Sequence, residues 1–330
     1  MSQPAVSVIM PVYNAERFLE CSVGSVLAQT CGDWELICFN DASTDGSLGR
    51  LNAYAEADPR IKVIDSATNV KQGAGRNRAI REARGEFVMF LDADDSLAPE
   101  AVATCLDTAR RDDADMVLFD YRLVPGDVVS PLGEQAEGMR GDDLRLRLIS
   151  NPSPVWSAMY RRTLITDNGL YFPERVFYED NAVALAIQLS ARNPIKVNAA
   201  LYDYHIYDTS VSHRINDYRF FHRLGSAVTL KGHLERLGLY ERWREPIDFL
   251  LINQYYIHSI FGCVYRFDRV PILRYRYIRA TIGRVVPGYR NNPSYRALPK
   301  GRRLKIFLHT RFPRLLNLLW RAKRTLSPQK

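Results

Sequence analysis

The sequence is poor in cysteine, and its cysteines follow no pattern typical of a disulfide framework or a zinc site. Five occur in 330 residues, an odd number, and no two of them form a CxxC pair. They are Cys21, Cys31, Cys38, Cys105 and Cys263. This spacing favours reduced structural thiols and predicts a cytosolic protein.

Long apolar runs and an export leader are also lacking. A membrane-spanning helix needs about 20 consecutive apolar residues. The nearest stretch, Phe249 to Val264, is interrupted by polar residues such as Asn253 and His258, which predicts a buried helix instead. The chain passes from Met1 into its first apolar run without a basic segment or an apolar leader, so we do not expect export.

Acidic residues are absent from the end of the chain. Residues Arg269 to Lys330 hold 17 Lys and Arg and no Asp or Glu. From Arg214 onward there are 25 basic and 6 acidic residues, whereas the preceding part has 20 and 31, so the formal net charge of +8 conceals two parts of opposite sign. Opposite charge predicts different partners. We therefore expect one domain over 1–213 and a basic region over 214–330. The sequence pattern from Asp217 onward predicts that this basic region is mainly helical.

From Val6 to Tyr121, short apolar runs alternate with helical stretches. The runs are Val6 to Met10, Glu35 to Phe39, Ile61 to Ile64, Phe87 to Leu91 and Met116 to Tyr121. The helical stretches are Glu16 to Gln29, Ser47 to Ala57, Gly75 to Arg84 and Pro99 to Arg111. This alternation predicts an α/β fold, with a mostly parallel central sheet and helices on both faces.

The remainder of the first domain is less regular. Val124 to Gly141 is rich in Gly, Pro and Glu and predicts a loop. The elements expected after it are a helix over Asp142 to Ile149, a strand over Val155 to Tyr160, a helix over Glu179 to Ser190, and strands over Lys196 to Asn198 and Leu201 to Ile206.

Polar clusters follow three of the predicted strands directly. Pro11 to Asn14 follows the first strand, Asn40 to Asp45 the second, and Asp92 to Asp95 the run that ends at Leu91. In open α/β sheets, ligands bind in the crevice outside the carboxyl ends of the strands. The sequence therefore predicts one acidic crevice, suited to a divalent cation and a phosphorylated ligand.

Each cluster also has a purely structural interpretation. Asp92 and Asp94, two positions apart, suit one Mg²⁺ or Mn²⁺, or a ribose. The alternative is that Asp94, Asp95 and Ser96 cap a helix opening near Pro99, although capping needs only one carboxylate. The turn from Asn40 to Ser47 fits a binding loop and a helix cap equally well. Acids at Glu179 and Asp180 suit a helix start without any catalytic role.

Five motifs, in their order and spacing, resemble the family 2 glycosyltransferases. They are Val8 to Asn14, Asn40 to Ser47, Gly75 to Asn77, Leu91 to Asp95, and Glu179-Asp180. The resemblance covers roughly residues 5 to 212. It implies a GT-A fold, a nucleotide-diphosphate-sugar donor, Mn²⁺ or Mg²⁺ as the metal, and inversion at the anomeric carbon.

The resemblance also implies roles for individual residues. Asp180, with Glu179 beside it, falls at the catalytic base, and Trp156 borders the acceptor. Asp92 and Asp94 fall at the metal, and Asp41 at the nucleotide base. The donor-binding set is Pro11, Tyr13, Asn14, Asp41, Asp45, Gly75, Arg76 and Asp92. The chain departs from the family at Asn40-Asp41-Ala42, where two acids and a glycine are more usual; we expect this to be tolerated because Asp41 is retained.

The basic end of the chain has an amphipathic pattern. Its apolar residues at helical spacing are Leu304, Phe307, Leu308, Leu315, Leu316, Leu319 and Trp320. Opposite them lie basic residues, which predicts a segment resting on an anionic membrane. Packing on the first domain, or on a second copy in a homo-oligomer, remains open. No nucleic-acid module is visible, so we expect no nucleic-acid partner.

Together these patterns predict a cytoplasmic enzyme, peripheral on the inner face of the cell membrane. It would move a sugar from a nucleotide-diphosphate sugar, with UDP as the expected nucleotide, to a hydroxyl of a surface polysaccharide or lipid-linked glycan. The alternatives are a non-catalytic nucleotide-sugar-binding module and a sugar-nucleotide pyrophosphorylase. The latter would need a Gly-rich loop after the first strand, where the chain has Pro11 to Asn14.

Overall fold

The structure is a computed structural model that describes residues 3–129, 132, 136, 138–207 and 215–326. The chain divides into two compact units, Met1–Tyr207 and Asp208–Lys330. The described part of the first unit carries a nine-stranded sheet with helices. The predicted loop between Val124 and Gly141 lies partly outside the described residues.

In the first unit, strands and helices alternate at first and become irregular later. The strands are β1 (Val6–Val12), β2 (Trp34–Asn40), β3 (Ile61–Asp65), β4 (Phe87–Phe90), β5 (Ser96–Leu97), β6 (Met116–Val124), β7 (Val128–Val129), β8 (Ala158–Arg161) and β9 (Pro194–His205). The helices are α1 (Leu19–Leu27), α2 (Ser47–Ala57), α3 (Lys71–Glu82), α4 (Ala101–Asp112), α5 (Gly141–Ser150), α6 (Thr163–Thr166) and α7 (Ala184–Ser190). All elements predicted before Tyr121 are confirmed, with small shifts at their ends.

The sheet is mixed, and parallel pairing is confined to part of it. β1 pairs in parallel with β2 and β4, and β2 pairs in parallel with β3. β8 lies between β4 and β6 and is antiparallel to both, while β6 and β9 are parallel. The predicted α/β class is confirmed. Strands β4 and β6 are not neighbours in the sheet, because β8, from a later part of the chain, occupies the position between them.

Three later predictions need adjustment. The segment Val155–Ser157 is a 3₁₀ turn, so the strand begins only at Ala158. The helix expected from Glu179 is a 3₁₀ turn over Asp180–Ala182 followed by α7. The two short strands expected after Lys196 are one strand, β9, whose register against β6 shifts around Asp120.

The alternative interpretation of Asp94, Asp95 and Ser96 as caps of a helix near Pro99 is wrong. Helix α4 begins at Ala101 with Glu100 at its N-cap position and no side-chain hydrogen bond there. Ser96 and Leu97 form β5, which pairs with β9. The carboxylates of Asp94 and Asp95 are thus separated from α4 by a strand, so a role other than capping must explain them.

The centre of the sheet is buried on both faces. Every residue of β1, β2 and β4 is buried. The largest fully buried side chains of this unit are Trp34, Phe39, Phe90, Phe119, Tyr160, Phe172 and Tyr202. Each large apolar side chain contributes roughly 1.5–3 kcal/mol on burial. All five cysteines are free, as the spacing predicted.

The described part of the second unit is mainly helical, as the sequence pattern predicted. Its helices are α8 (His222–Arg236), α9 (Leu239–Arg242), α10 (Arg244–Leu251), α11 (His258–Tyr265), α12 (Ile272–Val285), α13 (Pro293–Ala297), α14 (Lys300–Arg311) and α15 (Pro313–Leu326). A π-helical turn, Ile252–Ile257, joins α10 to α11 across the predicted buried stretch. Among the described residues, no helix is both long enough and apolar enough to span a bilayer.

Candidate active site

The turns after β1 and β2 are hydrogen-bonded to each other. The Asp41 N–H donates to the Val12 carbonyl at 2.8 Å. The Asn14 N–H donates to Ser43 Oγ at 3.0 Å, and Asn14 Oδ1 accepts from the Thr44 N–H at 2.7 Å. Asn14 has a φ of 50°, a conformation that asparagine tolerates better than most residues. The predicted convergence of these two strand ends is confirmed.

Asp41 is buried and tied to the start of helix α3. Its side chain accepts from the Val70 N–H at 2.6 Å and from the Lys71 N–H at 2.9 Å. A carboxylate there satisfies unpaired N–H groups and complements the positive end of the helix dipole. Asp41 therefore fixes the loop that leads into α3. Contact between Asp41 and a nucleotide base remains a prediction.

The rest of this turn also has structural roles. Asp45 Oδ1 accepts from both the N–H and the hydroxyl of Ser47, and Asp45 Oδ2 accepts from the Glu16 N–H at 3.2 Å. Asp45 thus organises the start of α2, and its predicted contact with the donor stays a prediction. Ala42 has a φ of 57°, in the left-handed region that favours glycine. This backbone geometry explains why a glycine suits position 42.

Two glycines of α3 allow the helix to pack closely. A Cβ on Gly75 would lie 2.6 Å from Cδ1 of Phe39 in β2. A Cβ on Gly73 would lie 2.3 Å from the carbonyl oxygen of Pro173. The glycines therefore press α3 against the sheet on one side and against the segment around Pro173 on the other. The predicted contact of Gly75 with the donor remains untested.

Asn77 attaches the same helix to the chain before the proposed base. Its Nδ2 donates to the Phe172 carbonyl at 2.8 Å, and its Oδ1 accepts from the Phe172 N–H at 2.8 Å. The amide side chain thus pairs with the backbone as a neighbouring strand would. One side of α3 therefore positions the segment that leads from Phe172 to Asp180.

Arg76 joins two acidic segments that are far apart in sequence. Its Nη2 donates to Asp92 Oδ1 at 2.7 Å, and its Nη1 donates to Glu179 Oε1 at 2.6 Å. The arginine is only 3% exposed and Glu179 5%. Buried charges require partners, and the planar guanidinium can serve two carboxylates at once. The end of β4 and the Glu179-Asp180 pair consequently belong to one site.

Glu179 and Asp180 differ in environment although they are adjacent. Glu179 is buried and engaged with Arg76, whereas Asp180 is half-buried. Burial raises the pKa of Asp180, and the positive charge of Arg76 opposes this rise. A carboxylate with a raised pKa accepts a proton more readily near neutral pH. Burial raises the pKa of Glu179 as well, so the pKa does not separate the two acids. Because Glu179 is held in its ion pair with Arg76, Asp180 is the better suited to proton transfer.

Sequence reasoning missed the residues that hold the Asp92 to Asp95 loop. The Tyr202 hydroxyl accepts from the Asp92 N–H at 3.1 Å and donates to Asp95 Oδ2 at 2.7 Å. The His205 N–H donates to Asp95 Oδ1 at 2.8 Å. Tyr202 and His205 lie in a strand more than 100 positions away, and no local signal in that strand indicates them. For Asp95, the only available signal in the sequence was its position next to Asp94.

Burial controls the protonation of Asp95. It raises the pKa of this carboxyl to about 8, with a further contribution from the nearby charge of Asp92. The hydrogen bonds from His205 and Tyr202 oppose the rise. Asp95 is only 1% exposed, so it faces the protein interior and supports the loop from behind. Asp94, in contrast, is exposed.

Trp156 belongs to an aromatic group beside this loop. Its ring stacks on Tyr202 with 4.3 Å between centroids and on Tyr204 at 5.7 Å, and Tyr121 meets its edge at 4.9 Å. Because Tyr202 also contacts Asp92, Trp156 lies close to the acidic site. Of the residues predicted to border the nucleoside, Tyr13 is 51% exposed and Pro11 is buried within β1.

The carboxylates fit a hard divalent cation. Arg76 donates a hydrogen bond to Oδ1 of Asp92. Among the described residues, Oδ2 of Asp92 has no hydrogen-bond partner. No group of three or more His, Cys, Asp or Glu side chains in the described part of the chain is arranged to hold a metal. Mg²⁺ is usually held by one or two carboxylates, with water and substrate phosphate oxygens as its other ligands. Asp92 and Asp94 match that limited requirement.

Sequence comparison finds glycosyltransferases. The profile described as glycosyl transferase family 2 matches residues 7–165. The chain is 30% identical over 263 residues to the putative glycosyltransferase EpsH of Bacillus subtilis, covering 76% of this chain and 75% of that protein. It is 29% identical over 204 residues to the poly(ribitol-phosphate) beta-glucosyltransferase of Bacillus spizizenii, covering 61% of this chain but only 32% of that protein.

Structural comparison points to the same fold. The structure of S. aureus TarS 1-349 in complex with UDP-GlcNAc aligns over 88% of this chain and 91% of its own, with a TM-score of 0.58 and 22% identity. The mannosyltransferase PcManGT of Pyrobaculum calidifontis, in complex with GDP-Man and Mn²⁺, aligns over 100% of this chain and 89% of its own, with a TM-score of 0.51 and 17% identity. These similarities confirm the predicted GT-A fold with a helical C-terminal region.

Proposed function

Because the chain belongs to glycosyl transferase family 2 and is a glycosyltransferase, we propose that it moves a sugar from a UDP-sugar to a hydroxyl of a surface polysaccharide or lipid-linked glycan. The observation that carries the proposal is the double ion pair of Arg76 with Asp92 and Glu179. This pair brings the proposed donor-side acids next to Asp180, the proposed base. One site would then hold both reacting groups, as group transfer requires.

UDP is the proposed nucleotide. The TarS structure contains UDP-GlcNAc, and its fold matches this chain. The proposed nucleoside contacts are Pro11, Tyr13 and Asp41, at the linked ends of β1 and β2. The exposed Tyr13 ring would lie against the base, while Asn14 holds the turn through Thr44.

The diphosphate end of the donor would lie at Asp92 and Asp94, which would hold Mn²⁺ or Mg²⁺. Such an ion, when bound, stabilises the negative charge that gathers on the departing diphosphate. Arg76 keeps Asp92 in place from behind, and Tyr202 fixes the backbone of the same residue. The chain's own contribution at this end is therefore orientation of the Asp92 carboxylate.

Asp180 would take the proton from the attacking acceptor hydroxyl. Burial raises its pKa above the ordinary aspartate value, which makes its carboxylate a stronger base. Glu179 cannot serve without breaking its buried ion pair with Arg76. Direct attack by the activated hydroxyl is a single displacement and inverts the anomeric carbon.

The acceptor would approach along the aromatic group of Trp156. Flat aromatic surfaces suit the apolar faces of sugar rings, and Trp156 is half-buried beside the Asp92 loop. A polymeric acceptor is supported by similarity to the poly(ribitol-phosphate) beta-glucosyltransferase. We propose that the enzyme works on such an acceptor while peripherally attached to the inner face of the cell membrane.

A thermal-shift panel tests the donor assignment. UDP, GDP, CDP, TDP and their sugars would each be added with and without Mn²⁺. A ligand at about 100 times its Kd stabilises the folded protein by about 2.7 kcal/mol. We expect metal-dependent stabilisation by UDP and UDP-sugars. Stabilisation by another nucleotide alone would replace UDP, and no response to any of them would contradict the donor site.

Matched variants test the base. We expect Asp180→Asn to abolish transfer and to leave metal-dependent UDP binding nearly intact. Glu179→Gln should instead lower thermal stability, because it leaves Arg76 with one fewer charged partner. Loss of UDP binding in Asp180→Asn would contradict the base assignment. UDP-sugar binding by the wild-type protein without transfer to any glycan acceptor would favour a non-catalytic module.

A further inference from the structure

Helix α15 presents a stripe of leucines to solvent. Leu315, Leu318 and Leu319 are 54%, 60% and 57% exposed. With about 3.6 residues per turn, these positions fall on one side of the helix. A surface helix normally turns its apolar side toward the core. Here the apolar side faces outward, and this leucine stripe needs an explanation.

The opposite side of α15 is fixed by polar contacts. Asn317 is only 5% exposed, and its Nδ2 donates to the carbonyls of Val264 and Phe267, each at 2.8 Å. These carbonyls lie at and just beyond the last turn of α11, where carbonyl groups lack helical partners. Pro313 is also buried on this side. Rotating the leucine stripe inward would break both hydrogen bonds of Asn317.

Helix α14 is held in the same manner and also exposes apolar side chains. The Tyr275 hydroxyl donates to the Thr310 carbonyl at 2.5 Å, and His309 Nε2 lies 2.6 Å from the Tyr265 hydroxyl. The apolar side chains left outside are Leu304, Phe307 and Phe312, at 57%, 58% and 45% exposure. Three of the seven residues of the predicted apolar side, Leu308, Leu316 and Trp320, are half-buried.

Basic residues border these apolar groups. On α15, Arg314 and Arg321 lie on one flank of the leucine stripe and Lys323 on the other, and all three are exposed. Neither α14 nor α15 contains an acidic residue. The last acid of the chain, Asp268, lies 3.7 Å from Arg324. The outward face of the two helices is therefore apolar in its centre and positive at its edges.

We propose that this face of α14 and α15 docks on an anionic lipid bilayer. The leucine stripe, with Phe307 and Phe312, would enter the boundary between headgroups and acyl chains, and the flanking arginines would bind lipid phosphates. Charge favours this occupant over a second copy of the chain, because a symmetric dimer would place the same basic edges against each other. The proposal depends on the second unit alone and is independent of the donor and base assignments.

Vesicle co-sedimentation of the full chain tests the proposal. We expect binding to vesicles of phosphatidylglycerol mixed with phosphatidylcholine, and little binding to phosphatidylcholine alone. Binding should weaken in roughly 1 M salt, where the Debye length falls to about 3 Å. Equal binding to both kinds of vesicle would contradict the role of the arginines, and no binding to either would overturn the proposal.

The leucine stripe is tested by Leu315→Gln, Leu318→Gln and Leu319→Gln together. These side chains are exposed, so the fold should persist, while partition onto anionic vesicles should fall at least about tenfold. The control is Leu273→Gln with Val228→Gln, at two exposed positions on α12 and α8, which are 78% and 52% exposed. The control should bind vesicles like the wild type, and both variants should keep their thermal midpoint and UDP response.

Three results would overturn the assignment of this face. The first is equal vesicle binding by the triple variant and the wild type. The second is an equal loss of binding in the control. The third is a wild-type protein that is dimeric without lipid, as measured by light scattering, and a triple variant that is monomeric. Loss of the UDP response in the wild-type protein would contradict the proposed function without affecting the vesicle result.

Discussion

Arg76 and Glu179 form a buried ion pair of 2.6 Å between residues 103 positions apart. The arginine lies on α3 and the glutamate directly before the proposed base. Because the same guanidinium also binds Asp92, a single side chain aligns the donor-side loop with the base segment. Removing the Arg76 side chain would leave the carboxylates of Asp92 and Glu179 without their shared partner.

We expect Arg76→Ala to destabilise the protein by about 3–5 kcal/mol, because removing one member of a buried ion pair leaves uncompensated charge. Arg76→Lys should restore only part of this stability, since one ammonium group cannot bind two carboxylates in the same geometry. Urea denaturation measures both. Arg78→Ala, an exposed arginine on the same helix, is the control and should cost far less. A similar loss in the control would contradict the special role of Arg76.

Tyr202→Phe should weaken donor binding as well as stability. The change leaves the Asp92 N–H without its acceptor and removes one donor from Asp95, at a cost of about 1–3 kcal/mol. Calorimetric titration with UDP and Mn²⁺ would show a higher Kd. Tyr204→Phe is the matched control, because the Tyr204 ring also stacks on Trp156 while its hydroxyl has no hydrogen bond among the described residues. Equal effects of the two changes would refute the positioning role.

Ala42→Gly should stabilise the protein slightly. An L-residue at positive φ costs roughly 1–2 kcal/mol, which glycine avoids. Glycine also gives the unfolded chain more conformational entropy, which destabilises the folded protein by about 0.4–1 kcal/mol. The strain is the larger of the two, so we expect a net gain of about 0.5–1 kcal/mol and unchanged UDP binding. Thermal unfolding measures the gain, and a lower midpoint would show that the strain at Ala42 is relieved elsewhere.

His309 should make stability fall in acid. Burial lowers the pKa of this side chain below its ordinary value of about 6.5. The unfolded chain therefore binds the proton more readily, so stability present above about pH 6.5 is lost as the pH falls through the folded-state pKa. His309→Gln should flatten this part of the stability curve. Midpoints measured between pH 7 and pH 5 would test it, and parallel curves for both proteins would contradict it.

Much of the fold of the first unit follows from local sequence. The buried strands β1, β2 and β4 are mainly apolar runs, and the helices between them begin and end within a few residues of prediction. The ends of parallel strands share one edge of a sheet, so the polar clusters after them were expected to meet. Asn14 and Asp41 confirm this through their contacts with the neighbouring turns.

Other features depend on residues that no local pattern connects. The antiparallel strand β8 comes from a later part of the chain and pairs with both β4 and β6. Tyr202 supports Asp92 and Asp95 from β9, and in sequence it is only one aromatic residue of a strand. Hydrogen bonds of this kind depend on distance in space, which periodicity does not report.

The sequence by itself determined the α/β class, the acidic site at the strand ends, the free cysteines and the basic, mainly helical character of the second unit. These properties depend on composition and short-range pattern. The tertiary structure decided that Arg76 binds Glu179 and that Asp95 supports the Asp92 to Asp95 loop from the interior. It also decided which side of α15 faces outward. Asn317 illustrates the reason: two hydrogen bonds to the end of α11 fix which side of the helix faces inward, a choice that the apolar pattern alone left open.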